Sequence, residues 1–159
     1  MTKRLTPSEI APVIGTLYPA PFDLPCRQRG RTKLGDAAGL TQFGVNLLQL
    51  PPGAWSSQRH WHSHEDEFVY VLSGEVVLVS DDGEETLRAG DAAGFKAGQQ
   101  NGHTLQNHSE NDVLVLEIGS RHGDDAVHYP DIDMIAPAGG KPATYTLRDG
   151  TPYPENKRR

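Results

Sequence analysis

The sequence has 159 residues, with 15 Lys and Arg against 21 Asp and Glu, a formal net charge of −6 that leaves 7 histidines uncounted. That length suits one domain with a real core, while 17 Gly and 12 Pro argue for many turns and against a helical bundle. No apolar run approaches the roughly 18 residues of a membrane span, no apolar segment follows the basic N-terminus as an export signal requires, and the single Cys26 offers neither an intramolecular disulfide nor a cysteine zinc site. A cytoplasmic protein without a membrane partner is expected.

Taken in chain order, Thr6-Pro7-Ser8-Glu9 reads as a capping box with Pro at the first helical position, stopped within a turn or two by Pro12. Residues 1–42 read as an N-terminal arm. It carries a basic alternation, Arg27, Arg29, Arg31 and Lys33, expected to be a solvated or packed basic strip, with an anion-binding site as the alternative. From residue 43 the texture changes to short period-two or β-branched runs separated by turn residues. The strand candidates are 44–50, 67–72, 75–80, 84–88, 91–95, 102–107 and 112–118. Ser73-Gly74 suggests a hairpin between 67–72 and 75–80, and Asp81-Asp82-Gly83 suggests another, since Asp-Gly favours a type I′ turn. This spacing predicts an all-β sandwich or jelly-roll barrel over 43–120. Residues 121–159 read as a C-terminal arm with a frayed end at Lys157-Arg158-Arg159.

The charge is unevenly spread. Residues 60–133 hold 16 acidic and 3 basic side chains together with all seven histidines, whereas both ends are basic. An acidic, histidine-rich centre suits cations and opposes nucleic acid.

The densest cluster is Arg59-His60-Trp61-His62-Ser63-His64-Glu65-Asp66-Glu67. In an extended segment His60, His62 and His64 share one face, so parity allows either His60 with His62 or His62 with His64 to meet a metal. Mixed imidazole and carboxylate sets hold Fe, Mn, Ni or Zn with coordination positions left open. Glu67 heads the face shared by Val69 and Val71, where a carboxylate needs a cation or a donor. His103 lies among small and polar residues on a distant strand candidate. Glu117 alternates with Val113 and Val115, and is either inside near the metal, as a base, or paired with Arg59 or Arg121. Lys96, Gln99 and Asn101 are candidates for the mouth of a pocket. Tyr129, Asp131 and Asp133 read as an arm latch; His108, His122 and His128 carry no spacing signal, and Trp55 and Trp61 read as packing residues.

At these positions the sequence resembles the cupin superfamily. Its first motif is met by His60, His62, Glu67 and Gly74, and its second by Gly90, Asp91, His103 and Asn107, although Lys96 stands where that motif has Pro. The stretches 95–107, 116–121, 129–134 and 149–154 resemble single-domain bacterial cupins assigned as sugar-phosphate isomerases. The resemblance implies a cupin-type jelly-roll β-barrel with extended arms, one divalent metal ion on His60, His62, Glu67 and His103, and a homodimer. Cupin spacing makes His60 and His62 the ligand pair and places His64 at the mouth or surface, with a ligand role as its alternative. The implied function is metal-assisted action on, or binding of, a small oxygenated molecule: sugar or sugar-phosphate isomerisation or epimerisation with Glu67 or Glu117 as base, an Fe(II)-type dioxygenase, or a non-catalytic small-ligand module.

Overall fold

A computed structural model describes residues 4–139 and 144–154; the Lys157-Arg158-Arg159 end lies outside the described residues. The chain forms an open jelly roll of three antiparallel sheets. The large sheet runs in the order β1 (Val13–Ile14), β2 (Gly30–Lys33), β3 (Phe43–Leu50), β10 (Val113–Ser120), β5 (Glu67–Ser73), β8 (Ala92–Phe95). Opposite it lies the sheet of β7 (Gly83–Arg88), β6 (Glu75–Ser80) and β9 (Thr104–Gln106). A third small sheet joins β12 (Met134–Ala136), β11 (Val127–Tyr129) and β4 (Trp61–His62). One short helix, α1 (Leu34–Ala38), links β2 to β3.

Strand parity places the core. On β5, Val69 and Val71 are buried while Phe68, Tyr70 and Leu72 are exposed, the alternation that a sheet with one packed face requires. Leu48, Leu50, Val113 and Val115 join them from β3 and β10, and Val76, Leu87 and Leu105 close over them from the second sheet. A second cluster gathers Tyr18 and Cys26 from the N-terminal segment with Tyr129 and Met134 from the C-terminal one, so the two ends of the chain meet beside the core.

Three expectations change. Strands β5 and β6 do not pair with each other: β5 pairs with β10 and β8, and β6 with β7 and β9. Ser73-Gly74 is therefore a corner where the chain crosses between sheets. Gly74 has φ +80°, and a Cβ there would stand 2.9 Å from the Asp112 carbonyl oxygen, which excludes other residues. The second hairpin does form, but Ser80 pairs with Gly83, so its two-residue loop is Asp81-Asp82 and Gly83 follows it. Pro7–Glu9 is a 3-10 turn whose N-cap Thr6 makes no side-chain hydrogen bond. Of the basic alternation, Arg31 and Lys33 lie on β2, an internal strand of the large sheet between β1 and β3, while Arg27 and Arg29 precede it.

Candidate metal centre

His60 and His103 face each other across an isolated antiparallel bridge, with reciprocal backbone hydrogen bonds of 3.1 and 2.9 Å. Their rings lie 4.7 Å apart. His62 follows two residues later on β4, and Glu67 opens β5 on the inward face. The geometry is convergent: Nε2 of His60 and His62 each lie 3.4 Å from Glu67 Oε2, and Nε2 of His103 lies 2.8 Å from it. His60, His62 and Glu67 offer one donor atom each within 4.8 Å of one another. The His103 approach does not make a hydrogen bond, so Glu67 Oε2 is buried without a donor. An orphaned carboxylate oxygen ringed by three imidazole nitrogens is a donor set that a divalent cation fits.

The surrounding residues fix the rings. His62 Nδ1 lies 2.6 Å from Asp125 Oδ2, which aims its Nε2 at Glu67. His60 Nδ1 meets the Gln58 carbonyl oxygen at 3.0 Å and Ser57 Oγ at 3.2 Å. His103 stacks on Phe95 at 3.5 Å. Electrostatics follows this packing. Burial disfavours charge on His62, but Glu67 and Asp125 outweigh it and raise its pKa to about 9. Burial would raise Glu67, yet the imidazoles, His60 foremost, hold it well below the usual carboxylate range. His103 is lowered, chiefly by burial.

These four side chains open onto a cavity of about 430 Å³, whose wall also includes Tyr18, Arg29, Arg31 and Glu117. Glu117 points inward, and its partner is Arg31 rather than Arg59 or Arg121: Arg31 Nε and Nη2 donate to its two oxygens at 2.7 and 2.8 Å. Arg59 instead clasps Asp131 through two bonds of 2.8 and 2.7 Å and also reaches Asp81. Arg121 pairs with Asp36. Lys96, Gln99 and Asn101 line a second cavity of about 230 Å³ that shares His62, Glu67 and His103. Asn101 also clamps the β6–β7 turn through Asp81 and Asp82.

His64 is exposed and stacks on His122 at 5.1 Å. His128 stacks on Trp61 at 4.1 Å, and His108 meets Gln106. Three residues of the site carried no signal in the sequence. Asp125 sits in a turn after the last strand of the large sheet, and Tyr18 and Tyr145 come from segments without periodicity. A second cation-capable group, His62, Glu65 and Asp125, shares His62 with the first. Its Asp125 Oδ1 already accepts the backbone N–H groups of His64 and Glu65 at 2.8 and 3.2 Å, so Asp125 also holds this loop.

The cupin domain family matches residues 46–119. Among solved structures, a sugar phosphate isomerase from a cupin superfamily of Silicibacter pomeroyi is 41% identical, with 96% of this chain and 97% of that one covered and a TM-score of 0.88. A protein provisionally named a sugar phosphate isomerase from Acidithiobacillus ferrooxidans is 33% identical, covering 77% of this chain and 76% of that one, with a TM-score of 0.70. A polyketide cyclase from Streptomyces resistomycificus shares the fold at 20% identity, 76% and 80% coverage and a TM-score of 0.62. A search of curated proteins found no match.

Proposed function

The chain belongs to the cupin superfamily, and from that premise we propose that it is a metal-dependent isomerase or epimerase acting on a small sugar or sugar phosphate. The observation that carries this reading is the convergence of three imidazole Nε2 atoms on the buried, donor-free Glu67 Oε2 inside a polar cavity of about 430 Å³. Likeness to a chain described as a sugar phosphate isomerase, along nearly the whole length, supports the substrate class.

In this reading His60, His62, Glu67 and His103 hold one divalent ion. When bound, the ion supplies Lewis acidity to substrate oxygens. Asp125 keeps His62 in the tautomer that leaves Nε2 free. Glu117, a cavity carboxylate outside the ligand set, is in this reading the group that moves a proton between substrate carbons. Its two oxygens rest on Arg31, so the guanidinium both positions it and stabilises its charge. Tyr18 and Tyr145 also face the cavity; burial foremost pushes both phenols upward, which keeps them protonated as hydrogen-bond donors to hydroxyl groups. The exposed Phe68, Tyr70 and Leu72 of β5, together with the exposed Phe43 of β3 in the same sheet, suit contact with a second copy, and sedimentation should report a dimer.

The test is turnover. Protein loaded with Mn or Zn should interconvert aldose and ketose phosphates, or epimers, and wash solvent deuterium into one carbon position. Glu117→Gln should remove that exchange while the metal stays bound. Failure across a panel of sugars, with oxygen uptake on Fe(II)-loaded protein instead, overturns the isomerase reading.

A further inference from the structure

The alternation Arg29, Arg31, Lys33 has no part in holding a metal, yet the fold turns it toward the same cavity. β2 pairs with β3 so that Arg31 lies opposite Leu48 and Lys33 opposite Asn46. Leu48 is fully buried and Asn46 lines the cavity. The period of two therefore carries Arg31 and Lys33 to the cavity wall, and Arg29, in the loop just before β2, lines it as well. Arg27, earlier in that loop, turns away to Asp23.

Arg29 is the informative member. It is only 8% exposed, yet forms no ion pair among the described residues. Its Nε donates to the Gly15 carbonyl oxygen at 3.2 Å, its Nη1 donates to the Ser56 carbonyl oxygen, and its Cζ lies 5.9 Å over the Tyr18 ring. A guanidinium buried without a carboxylate is costly; burial, and next to it Arg31, pull its pKa below the ordinary arginine value. The Ser56-Ser57 segment that holds Arg29 also touches His60, since Ser57 Oγ sits 3.2 Å from His60 Nδ1. Arg31 has Nε and Nη2 on Glu117, leaving Nη1 outside that fork. Lys33, half-exposed and only 3.8 Å from Asp36, stands at the rim.

We propose that Arg29, Arg31 and Lys33 form an oxyanion subsite that seats the phosphate of a phosphorylated substrate while its hydroxyl end meets the His60, His62, Glu67 and His103 cluster. This rests on the isomerase reading above and narrows its substrate to phosphorylated sugars. Charge balance selects a dianion. Four cationic side chains and four carboxylates line the cavity, so a divalent cation among the histidines leaves an excess that a phosphate monoester cancels and a neutral sugar does not. Two guanidinium groups suit a phosphate geometrically, through directed N–H donors.

The experiment is calorimetric titration of the full chain with inorganic phosphate, a sugar phosphate and the matching neutral sugar, with and without Mn. Saturable phosphate binding is expected in both metal states, weakened about ten-fold by Lys33→Gln and more by Arg29→Gln, and unchanged by Arg88→Gln on the exposed hairpin. If Arg29→Gln fails to fold, Lys33→Gln still decides. Phosphate binding that is absent, or equal in Lys33→Gln and wild type, overturns the subsite. Sugar phosphate bound no better than the neutral sugar also overturns it. Turnover of a neutral sugar without phosphate binding would overturn the subsite and leave the isomerase reading standing, whereas phosphate binding with no turnover of any sugar would do the reverse.

Discussion

Asp125 Oδ2 lies 2.6 Å from His62 Nδ1, and this pairing decides which edge of the imidazole faces Glu67. A carboxylate behind a metal-binding histidine fixes its tautomer and raises its basicity, an effect worth about 10- to 100-fold in metal affinity. Asp125→Asn should therefore lower affinity for Mn or Zn by about that factor, measured by competition with a chelating dye. His62→Ala and His103→Ala should abolish stoichiometric metal. Full metal content in both alanine variants would refute the assignment of the ligand set.

The His60, His62, Glu67 cluster was legible because strand parity and motif spacing both act over a few residues. Glu117 was legible only as a choice between interior and rim, since its partner Arg31 lies 86 positions away and no local rule links them. The basic alternation was visible, but its direction depends on pairing with β3, which a single strand cannot reveal. Ser73-Gly74 misled for a related reason: a Gly between two β-branched runs marks a reversal equally well when the strands pair and when they part into different sheets. Asp125 had no signal, because a turn carboxylate is an ordinary surface residue until a histidine from another sheet meets it.

The pH dependence follows from opposite shifts in the metal-free protein. His62 is raised from 6.5 to about 9, burial opposing and Glu67 with Asp125 prevailing. Its contribution to stability is therefore full below pH 6.5 and lost as pH rises through about 9. Glu67 is held well below 4.5, the imidazoles outweighing burial; its contribution is present above pH 4.5 and lost as pH falls through the folded value. Metal-free protein should accordingly melt highest between these limits. Because the cation needs His62 neutral, loading at pH 7 should expel a proton, and affinity should tighten toward pH 9. Titration in weakly buffered solution measures the release; its absence would contradict the geometry.

Asn107, the last residue of the second motif, is a structural lock rather than a ligand. It is fully buried; Nδ2 donates to the Leu50 and Asn111 carbonyl oxygens at 2.8 and 2.7 Å, and Oδ1 accepts from Ser109 N–H and hydroxyl at 2.9 and 2.8 Å. Replacing it with Leu leaves the Leu50 carbonyl oxygen of the buried bond unpaired, at about 1–3 kcal/mol, and removes the part-buried bonds to Ser109 and Asn111 at a smaller cost. Asn107→Leu should lower the denaturant midpoint by an amount matching about 2–4 kcal/mol, without altering metal stoichiometry in the molecules that remain folded.

Cys26 tests the second cluster, where the N- and C-terminal segments meet. It is fully buried beside Tyr129 and Met134, and burial foremost pushes its thiol from 9.0 up to about 11, Arg29 opposing. Only the thiolate reacts, so the folded protein should resist iodoacetamide at pH 8 and label once per chain after denaturation. The unfolded thiol ionises first as pH rises above 9.0, so this residue should subtract stability between pH 9 and 11. Met134→Ala opens the cluster from the C-terminal side; as a large-to-small core change it should cost about 2–5 kcal/mol and make Cys26 labelling in native buffer measurably faster. Unchanged labelling in that variant would mean that the C-terminal segment does not cover Cys26 in solution.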